Sequence, residues 1–206
     1  MEDIRNLLVE SAGFQSSVCI CDYIKDKTKK IIVLVGGGSN GADGLVIARY
    51  LSNNGYLVMM YCPQLNRSEI QMTLHHQAIS VGVIEVKSVE EVIDDCDAVI
   101  DCIVGFNMIG NQLKEPWHSI INMIRIKKLT LISIDIPSGY EVNVEHEASV
   151  INASCDVIIS LIAPKICTKN FTKTHYLTGR FVPNFMLNYN GWDISDWPEN
   201  QVFKVL

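Results

Sequence analysis

The chain has 206 residues, of which 48% are hydrophobic and 19% are charged, and its formal net charge is −6. This length and composition exclude a disordered, highly charged segment and predict one domain, residues 1–206, around a single core. The acidic balance argues against a nucleic-acid or anionic-membrane partner, and the lack of a recognisable signal peptide, transit peptide or membrane-spanning run predicts a cytoplasmic protein.

The first half of the chain alternates apolar strands with helical patterns. Residues 31–35 are a continuous apolar run that ends in three glycines, which is typical of a buried parallel strand followed by a tight turn. Residues 43–51 have helical spacing, and Asn53-Asn54-Gly55 is a common C-terminal signal. The pattern then predicts a strand over 56–61, a helix over 68–81, a strand over 83–86 and a short helix that begins within 89–92, with Ser88 as its N-cap.

The second half continues this alternation up to Lys165. Strands separated by helices predict an α/β fold with a doubly wound, mostly parallel sheet and helices on both faces. Beyond Lys165 the chain is rich in aromatic residues, and we expect an irregular tail that wraps the core. The elements predicted are a strand over 98–100 that leads into Asp101, a helix from Glu115-Pro116 to about residue 125, and strands over 129–134 and 157–161.

The seven cysteines are scattered along the chain, and several lie inside apolar runs. No C-x-x-C pair is present, which argues against a zinc ribbon and against a thioredoxin-like site. We therefore expect free, buried thiols in a reducing compartment.

The functional residues of a doubly wound sheet lie beyond the carboxyl ends of its strands. Four segments take that position, and each carries glycine, proline or a polar group beside an apolar strand. We expect them to form one site. They are residues 36–44, 101–110, 135–139 and 163–165.

The glycine segment 36–41 matches the pattern G-x-G-x-x-G between a strand and a helix. Glycines allow a tight turn and a close approach of the backbone to a ligand, and the helix N-terminus offers free amides to an anion. No acidic residue ends the following strand, and no G-K-[ST] is present, which argues against an NAD(P)-dependent oxidoreductase and against a P-loop. Asp43 is either a helix cap or a residue of the site.

Oxygen-bearing side chains recur at the strand ends. If they converge, Asn40, Asp101 and Ser138 would form a hard, low-charge oxygen set, which suits a monovalent cation or a weakly held hard ion, and not zinc. Alternatively, Asn40 takes up a left-handed turn and Asp101 caps a neighbouring helix. Asp135 is the best candidate for acid–base catalysis, with an Asx-turn before Pro137 as the alternative.

Several separated segments, in order, resemble the NAD(P)HX epimerases, the YjeF N-terminal family. "VLVGGGSNGADGLVIARYL" resembles the family's "GPGNNGGDGLVAARHL", and "SIDIPSG" contains its "DIPSG". "DAVIDCIVGFNMIG", "LIAPK" and "HYLTGRFVPN" resemble further family segments, and the last is characteristic of eukaryotic members. Gly37, Ser39 and Ala42 depart from the family's proline, first asparagine and second signature glycine.

The resemblance implies a Rossmann-like, usually dimeric enzyme that interconverts the R and S forms of hydrated NADH and NADPH in cofactor repair. It implies one potassium ion per subunit, bound by Asn40, Asp101 and Ser138, and it assigns proton transfer to Asp135. The epimerised carbon would invert through water loss or through ring opening. The substrate contacts that it implies are Ser39, Asn40, Gly41, Ala42, Asp43, Gly105, Phe106, Asn107, Met108, Ile109, Gly110, Asn111 and Asp135.

A non-catalytic module is the alternative, because the same domain resembles the C-terminal part of enhancer of mRNA decapping proteins, which dimerise. Retention of Asn40, Asp43, Asp101, Asp135 and Ser138 together favours the enzyme, since a scaffold has no physical need for all five.

Overall fold

The computed structural model describes residues 2–63, 68–106, 113–179, 181, 197 and 200–206, and for residues 2–5 the backbone alone. Within these ranges one sheet is formed by β1 (Lys30–Val35), β2 (Leu57–Tyr61), β3 (Ile84–Glu85), β4 (Ala98–Cys102), β5 (Thr130–Ile134), β6 (Val157–Leu161), β7 (Thr174–Thr178) and β8 (Phe203–Val205). The strand order is β3-β2-β1-β4-β5-β6-β7-β8. All neighbours are parallel except β7 and β8, which confirms the mostly parallel sheet.

Helices cover both faces of the sheet, as predicted. They are α1 (Glu2–Tyr23), α2 (Ser39–Asn53), α3 (Glu69–Ser80), α4 (Trp117–Lys127) and α5 (Ala148–Asn152). Because successive strand residues point to opposite faces, Ile31, Val33 and Val35 pack in the cluster that includes α1, α2 and α3, while Ile32 and Leu34 pack with α4 and α5. Both faces of β1 are therefore buried, which explains its unbroken apolar run.

The order of the strands creates the crevice. β1 continues into α2 on one face, whereas the chain after β4 leads to α4 on the other face. The two strands are direct neighbours, so the connections after them diverge and leave a gap at the carboxyl edge.

Two local predictions were wrong, and two helices were not predicted. Residues 89–92 form turns that lead into a 3-10 helix over Ile93–Asp95, and the Ser88 hydroxyl donates to the Glu90 carboxylate at 2.5 Å instead of capping a helix. The tail contributes β7 and β8, because the backbone of β6 offers a partner that the sequence pattern did not reveal. The helices α1 and α5 were not predicted.

The seven cysteines are free, as predicted, and six of them are buried, with Cys21 half-buried. Among the described helices, none combines the length and the apolar character that crossing a membrane requires.

Candidate functional site

A cleft of about 950 Å³ opens at the carboxyl edge of the sheet. Its walls come from the segments after β1, β4, β5 and β6, which meet at the crevice described above. This volume lies at the upper end of the range for small-molecule sites. Its lining includes Gly37, Gly38, Ser39, Asn40, Asp43, Gly105, Phe106, Lys114, Asp135 and Lys165.

The glycine segment presents the start of α2 to this cleft. Gly38 precedes the helix with extended backbone and no side-chain cap, so the first amides of α2 remain available to a ligand. Gly41 does not line the cleft, because it packs on the chain after β1, where a Cβ would lie 1.8 Å from the Gly36 carbonyl oxygen. Ala42 is likewise absent from the lining and is buried in the core, contrary to a direct side-chain contact with substrate.

Asp135 follows β5 in the left-handed region, with φ 72°. Asp adopts this conformation more readily than most residues, and such positions occur often at functional sites. The Leu161 amide donates to Asp135 Oδ1 at 3.3 Å, and the Lys165 ammonium pairs with the same oxygen. An Asx-turn at Asp135 would need the amide hydrogen of the residue two positions on, which is Pro137 and has none, so the alternative of an Asx-turn is wrong.

Lys165 is the residue whose role the sequence did not predict. Its segment was selected as a strand end, but only the folded chain brings its ammonium, which also donates to the Leu161 carbonyl at 2.7 Å, onto Asp135. The lysine side chain is 15% exposed and that of Asp135 is 8% exposed, so solvent screens this pair little. The sequence did offer one sign of this role: Lys165 is a basic residue shortly after the end of β6, the strand that follows β5 along the chain.

Asp43 is a second carboxyl group of the cleft and not a helix cap. It lies inside α2, is 7% exposed and makes no capping bond to the backbone. Burial, and then the charge of Asp135, raise the pKa of Asp43 well above its usual value. The cleft thus holds a carboxyl group that tends to keep its proton opposite one that is paired with a lysine.

Replacing Asp43 by asparagine is expected to stabilise the protein increasingly as pH rises. An acid whose pKa is higher in the folded chain than in the unfolded chain costs stability above the unfolded pKa, here about 4, by up to about 1.4 kcal/mol per pH unit until the folded group also ionises. Urea unfolding of both proteins between about pH 4 and pH 8 measures this difference. A difference that stays constant with pH would contradict the assignment of a raised pKa to Asp43.

Asp101 in β4 and Ser138 after β5 hydrogen-bond to each other, whereas Asn40 lies in the first turn of α2 and bonds to the Ile134 carbonyl of β5. Of the three, only Asn40 lines the cleft. Asp101 accepts hydrogen bonds from the Ser138 amide (2.9 Å) and hydroxyl (2.6 Å), the Ile103 amide (3.2 Å) and the Ser133 hydroxyl (3.1 Å), so it caps no helix. The Val104 amide donates to Ser138 Oγ at 3.2 Å. Burial raises the pKa of Asp101, and these hydrogen bonds oppose that rise.

Asn40 is oriented by one hydrogen bond, from its Nδ2 to the Ile134 carbonyl at 3.0 Å. Its Oδ1 is buried and has no hydrogen-bond partner among the described residues. Gly105 packs directly on this side chain, since a Cβ there would lie 3.0 Å from Asn40 Nδ2. Asn40 is helical, so the alternative of a left-handed turn is wrong.

Ser39, Gly105 and Phe106 line the cleft, in the positions where the sequence predicted substrate contacts. The predicted contacts Asn107, Met108, Ile109, Gly110 and Asn111 lie outside the described residues.

His175 is excluded as a proton carrier of the cleft. It is 5% exposed, hydrogen-bonds to Ser160 Oγ at 2.9 Å and does not line the cleft. Burial, and then the nearby Lys165, lower the pKa of His175 to about 4, so it is neutral near pH 7.

Comparison with known proteins identifies the family of the chain. The family described as "YjeF-related protein N-terminus" matches residues 5–167. The chain is 36% identical over 190 residues to the NAD(P)H-hydrate epimerase of Plasmodium knowlesi (strain H), covering 89% of this chain but only 64% of that protein. It is 35% identical to the Anopheles gambiae protein of the same name, over 85% of this chain and 78% of that protein.

A likeness in three dimensions covers almost the entire chain. The crystal structure of yeast ynu0, YNL200c, matches with a TM-score of 0.87 and 27% identity, over 98% of this chain and 90% of that one. The extent of this match agrees with the sheet and helices described above.

Proposed function

Because the chain belongs to the YjeF-related protein N-terminus family, we propose that it is an NAD(P)H-hydrate epimerase. It would interconvert the R and S forms of hydrated NADH and NADPH, which makes it an isomerase of nicotinamide cofactor repair. The chain covers 64% of the Plasmodium knowlesi relative and 78% of the Anopheles gambiae relative, and the activity is proposed for the part they share.

One observation carries the proposal: Asp135 and Asp43 face the same cleft in different electrostatic surroundings. Asp135 is paired with the Lys165 ammonium, whereas Asp43 is buried, and burial and then the charge of Asp135 raise the pKa of Asp43. One cleft therefore holds a carboxyl group that tends to keep its proton and a second one that is paired with a lysine, which suits an acid–base pair.

Inversion of the hydrated carbon requires proton movements at its hydroxyl group. In the water-loss route, a proton is given to the hydroxyl, water leaves, and a proton is removed when water returns to the other face of the ring. In the ring-opening route, a proton is removed from the hydroxyl as the bond between carbon and ring nitrogen breaks, and the ring then closes on the other face. Asp135 would accept the proton in either route, and Asp43 would donate one.

The nucleotide part of the substrate would lie along the glycine segment. Ser39 and Asn40 open α2, whose first amides carry partial positive charge toward the cleft, and Lys114 adds a full positive charge to the lining. These groups would bind the phosphate oxygens of the substrate, and the hydrated nicotinamide ring would then lie near Asp135.

We propose that Asn40, Asp101 and Ser138 hold one potassium ion per chain. All three carry hard oxygens with one negative charge in total, and Asn40 Oδ1 is buried without a hydrogen-bond partner in the described part of the chain. Ser138 Oγ donates to Asp101 and accepts the Val104 amide, which leaves one lone pair for a cation. Bound potassium would supply a fixed positive charge below the cleft.

Potassium is therefore expected to raise the melting temperature, because a ligand that binds only the folded chain stabilises it by about 2.7 kcal/mol at 100 times its Kd. Thermal unfolding in potassium chloride and in choline chloride at equal ionic strength measures this shift. Asn40→Leu is expected to abolish it, whereas Asn143→Leu, a cleft residue outside the oxygen set, is expected to keep it. Equal melting temperatures of the native chain in both salts would contradict the cation site.

The activity is tested with the R form of hydrated NADH, coupled to a dehydratase that accepts only the S form. The chain is expected to accelerate regeneration of NADH above the spontaneous rate, in proportion to its concentration. Regeneration at the spontaneous rate would contradict the epimerase and favour a non-catalytic module.

We also propose a cytoplasmic homodimer built from single-domain chains. All the described strands join one sheet, which supports a single domain over residues 1–206, and the free thiols suit a reducing compartment. The apolar side chains Leu7, Leu8 and Phe14 of α1 are exposed by 67%, 43% and 40%, and they offer a surface for a second copy.

A further inference from the structure

Three potential metal ligands from separate elements converge away from the cleft residues described above. Cys62 follows β2, His75 lies on α3 and Glu85 belongs to β3. One ligand atom of each lies within 4.8 Å of the other two, and His75 Nε2 lies 3.1 Å from Glu85 Oε2. Within the described ranges, this is the group of His, Cys, Asp and Glu side chains that could surround an ion.

The three side chains differ in how much of their surface is exposed to solvent. Cys62 is 8% exposed and belongs to the hydrophobic core, the His75 side chain is 12% exposed, and the Glu85 side chain is 42% exposed. The thiol and the imidazole would therefore contact an ion from the protein interior. Glu85 lies on the solvent side, where an ion can enter and a water molecule can bind.

The imidazole of His75 is incompletely satisfied by the protein alone. Its Nε2 faces Glu85 Oε2, and its Nδ1 is buried with no hydrogen-bond partner among the residues described. A neutral imidazole has one donor nitrogen and one acceptor nitrogen. With the proton on Nε2, the imidazole donates to Glu85 Oε2; with the proton on Nδ1, the Nε2 lone pair faces that oxygen, and a cation between the two atoms would be coordinated by both.

We propose that Cys62, His75 and Glu85 bind one zinc ion, with water as the fourth ligand. Sulfur, imidazole nitrogen and carboxylate oxygen are the ligands that zinc takes in proteins. Zinc bonds of about 2.0–2.3 Å in a tetrahedron place ligand atoms about 3.3–3.8 Å apart. The 3.1 Å between His75 Nε2 and Glu85 Oε2 is close to that spacing, whereas the Cys62 sulfur, which lies within 4.8 Å of both atoms, would have to approach them by up to about 1 Å.

The ion would connect elements that are weakly joined otherwise. β3 has only two residues and pairs with β2 alone, at the edge of the sheet. Gln71, one helical turn before His75 on α3, donates from Nε2 to the Gly38 carbonyl at 2.8 Å. Zinc would therefore link β3 to α3, the helix that contacts the glycine segment of the cleft through Gln71.

Cobalt substitution tests the site in the full chain after treatment with a chelator. Co²⁺ is expected to bind one per chain and to produce both the sulfur-to-cobalt charge-transfer band and the intense visible bands of a four-coordinate ion, which Zn²⁺ then abolishes. Cys62→Ser is expected to remove the charge-transfer band. His75→Gln and Glu85→Gln are each expected to weaken zinc binding at least about tenfold in competition with a chelating dye.

Two matched variants separate the site from unspecific binding. Cys21→Ser removes a half-buried thiol on α1, and His76→Gln removes the exposed neighbour of His75; both are expected to bind cobalt as the native chain does. The absence of a charge-transfer band in the native chain, its survival in Cys62→Ser or its loss in Cys21→Ser would each overturn the proposal. If Cys62→Ser does not fold, unchanged zinc affinity in His75→Gln and Glu85→Gln would overturn it.

Discussion

Replacing Asp135 by asparagine is expected to lower kcat for epimerisation by about 10²- to 10⁴-fold, the range that a positioned acid or base contributes. Asparagine keeps a side-chain oxygen that can accept the Leu161 amide, and it tolerates the left-handed backbone at this position. It cannot accept a proton in the cleft. The expected loss of kcat is therefore chemical, and the melting temperature is also expected to fall because the buried Lys165 ammonium loses its carboxylate partner, so kcat is compared at a temperature where both proteins are folded.

Asp156→Asn is the matched control for this variant. Asp156 precedes β6, accepts the Leu131 amide at 3.0 Å and pairs with Lys173 at 3.0 Å, so it repeats the contacts of Asp135 at the opposite edge of the sheet. Its substitution removes a carboxylate–lysine pair without touching the cleft, and activity is expected to stay within about twofold of the native value, as distant surface pairs contribute little. Equal activity of Asp135→Asn and the native chain would remove Asp135 from the mechanism.

Replacing Gly41 by alanine is expected to destabilise the protein by at least about 3 kcal/mol. The added Cβ would lie 1.8 Å from the Gly36 carbonyl oxygen and 2.6 Å from its carbon, and backbone atoms cannot rotate away as a side chain can. Alanine is a better helix former than glycine by about 1 kcal/mol, so a loss of stability would report the clash and not the helical propensity.

Gly38→Ala is the control from the same segment. A Cβ at Gly38 meets no atom within 4 Å, and its φ of −102° suits any residue, so its unfolding free energy is expected to change by less than about 0.5 kcal/mol. Urea unfolding of both variants measures the difference. Equal stability of Gly41→Ala and Gly38→Ala would contradict the packing of α2 on the chain after β1.

The central strands were predictable because of how they are buried. A parallel strand covered on both faces is apolar at every position, and residues 31–35 are all buried, so the sequence marked β1 without ambiguity. By contrast, α1 buries Ser16 and Ser17 while it exposes Leu7 and Phe14, so its apolar residues outline no single face. β7 mixes threonine and histidine with apolar residues and depends on β6 for its pairing.

The fold class, the glycine segment and the polar residues at the strand ends can be predicted from local sequence, because hydrophobic periodicity and glycine chemistry act over a few neighbouring residues. Which of these residues meet depends on how distant segments pack. This packing brought Lys165 to Asp135 and left Asp43 buried beside that charge, while it placed Asp101 and Ser138 behind the cleft wall. These outcomes follow from strand order and burial, which depend on contacts between distant segments and therefore leave no local pattern in the sequence.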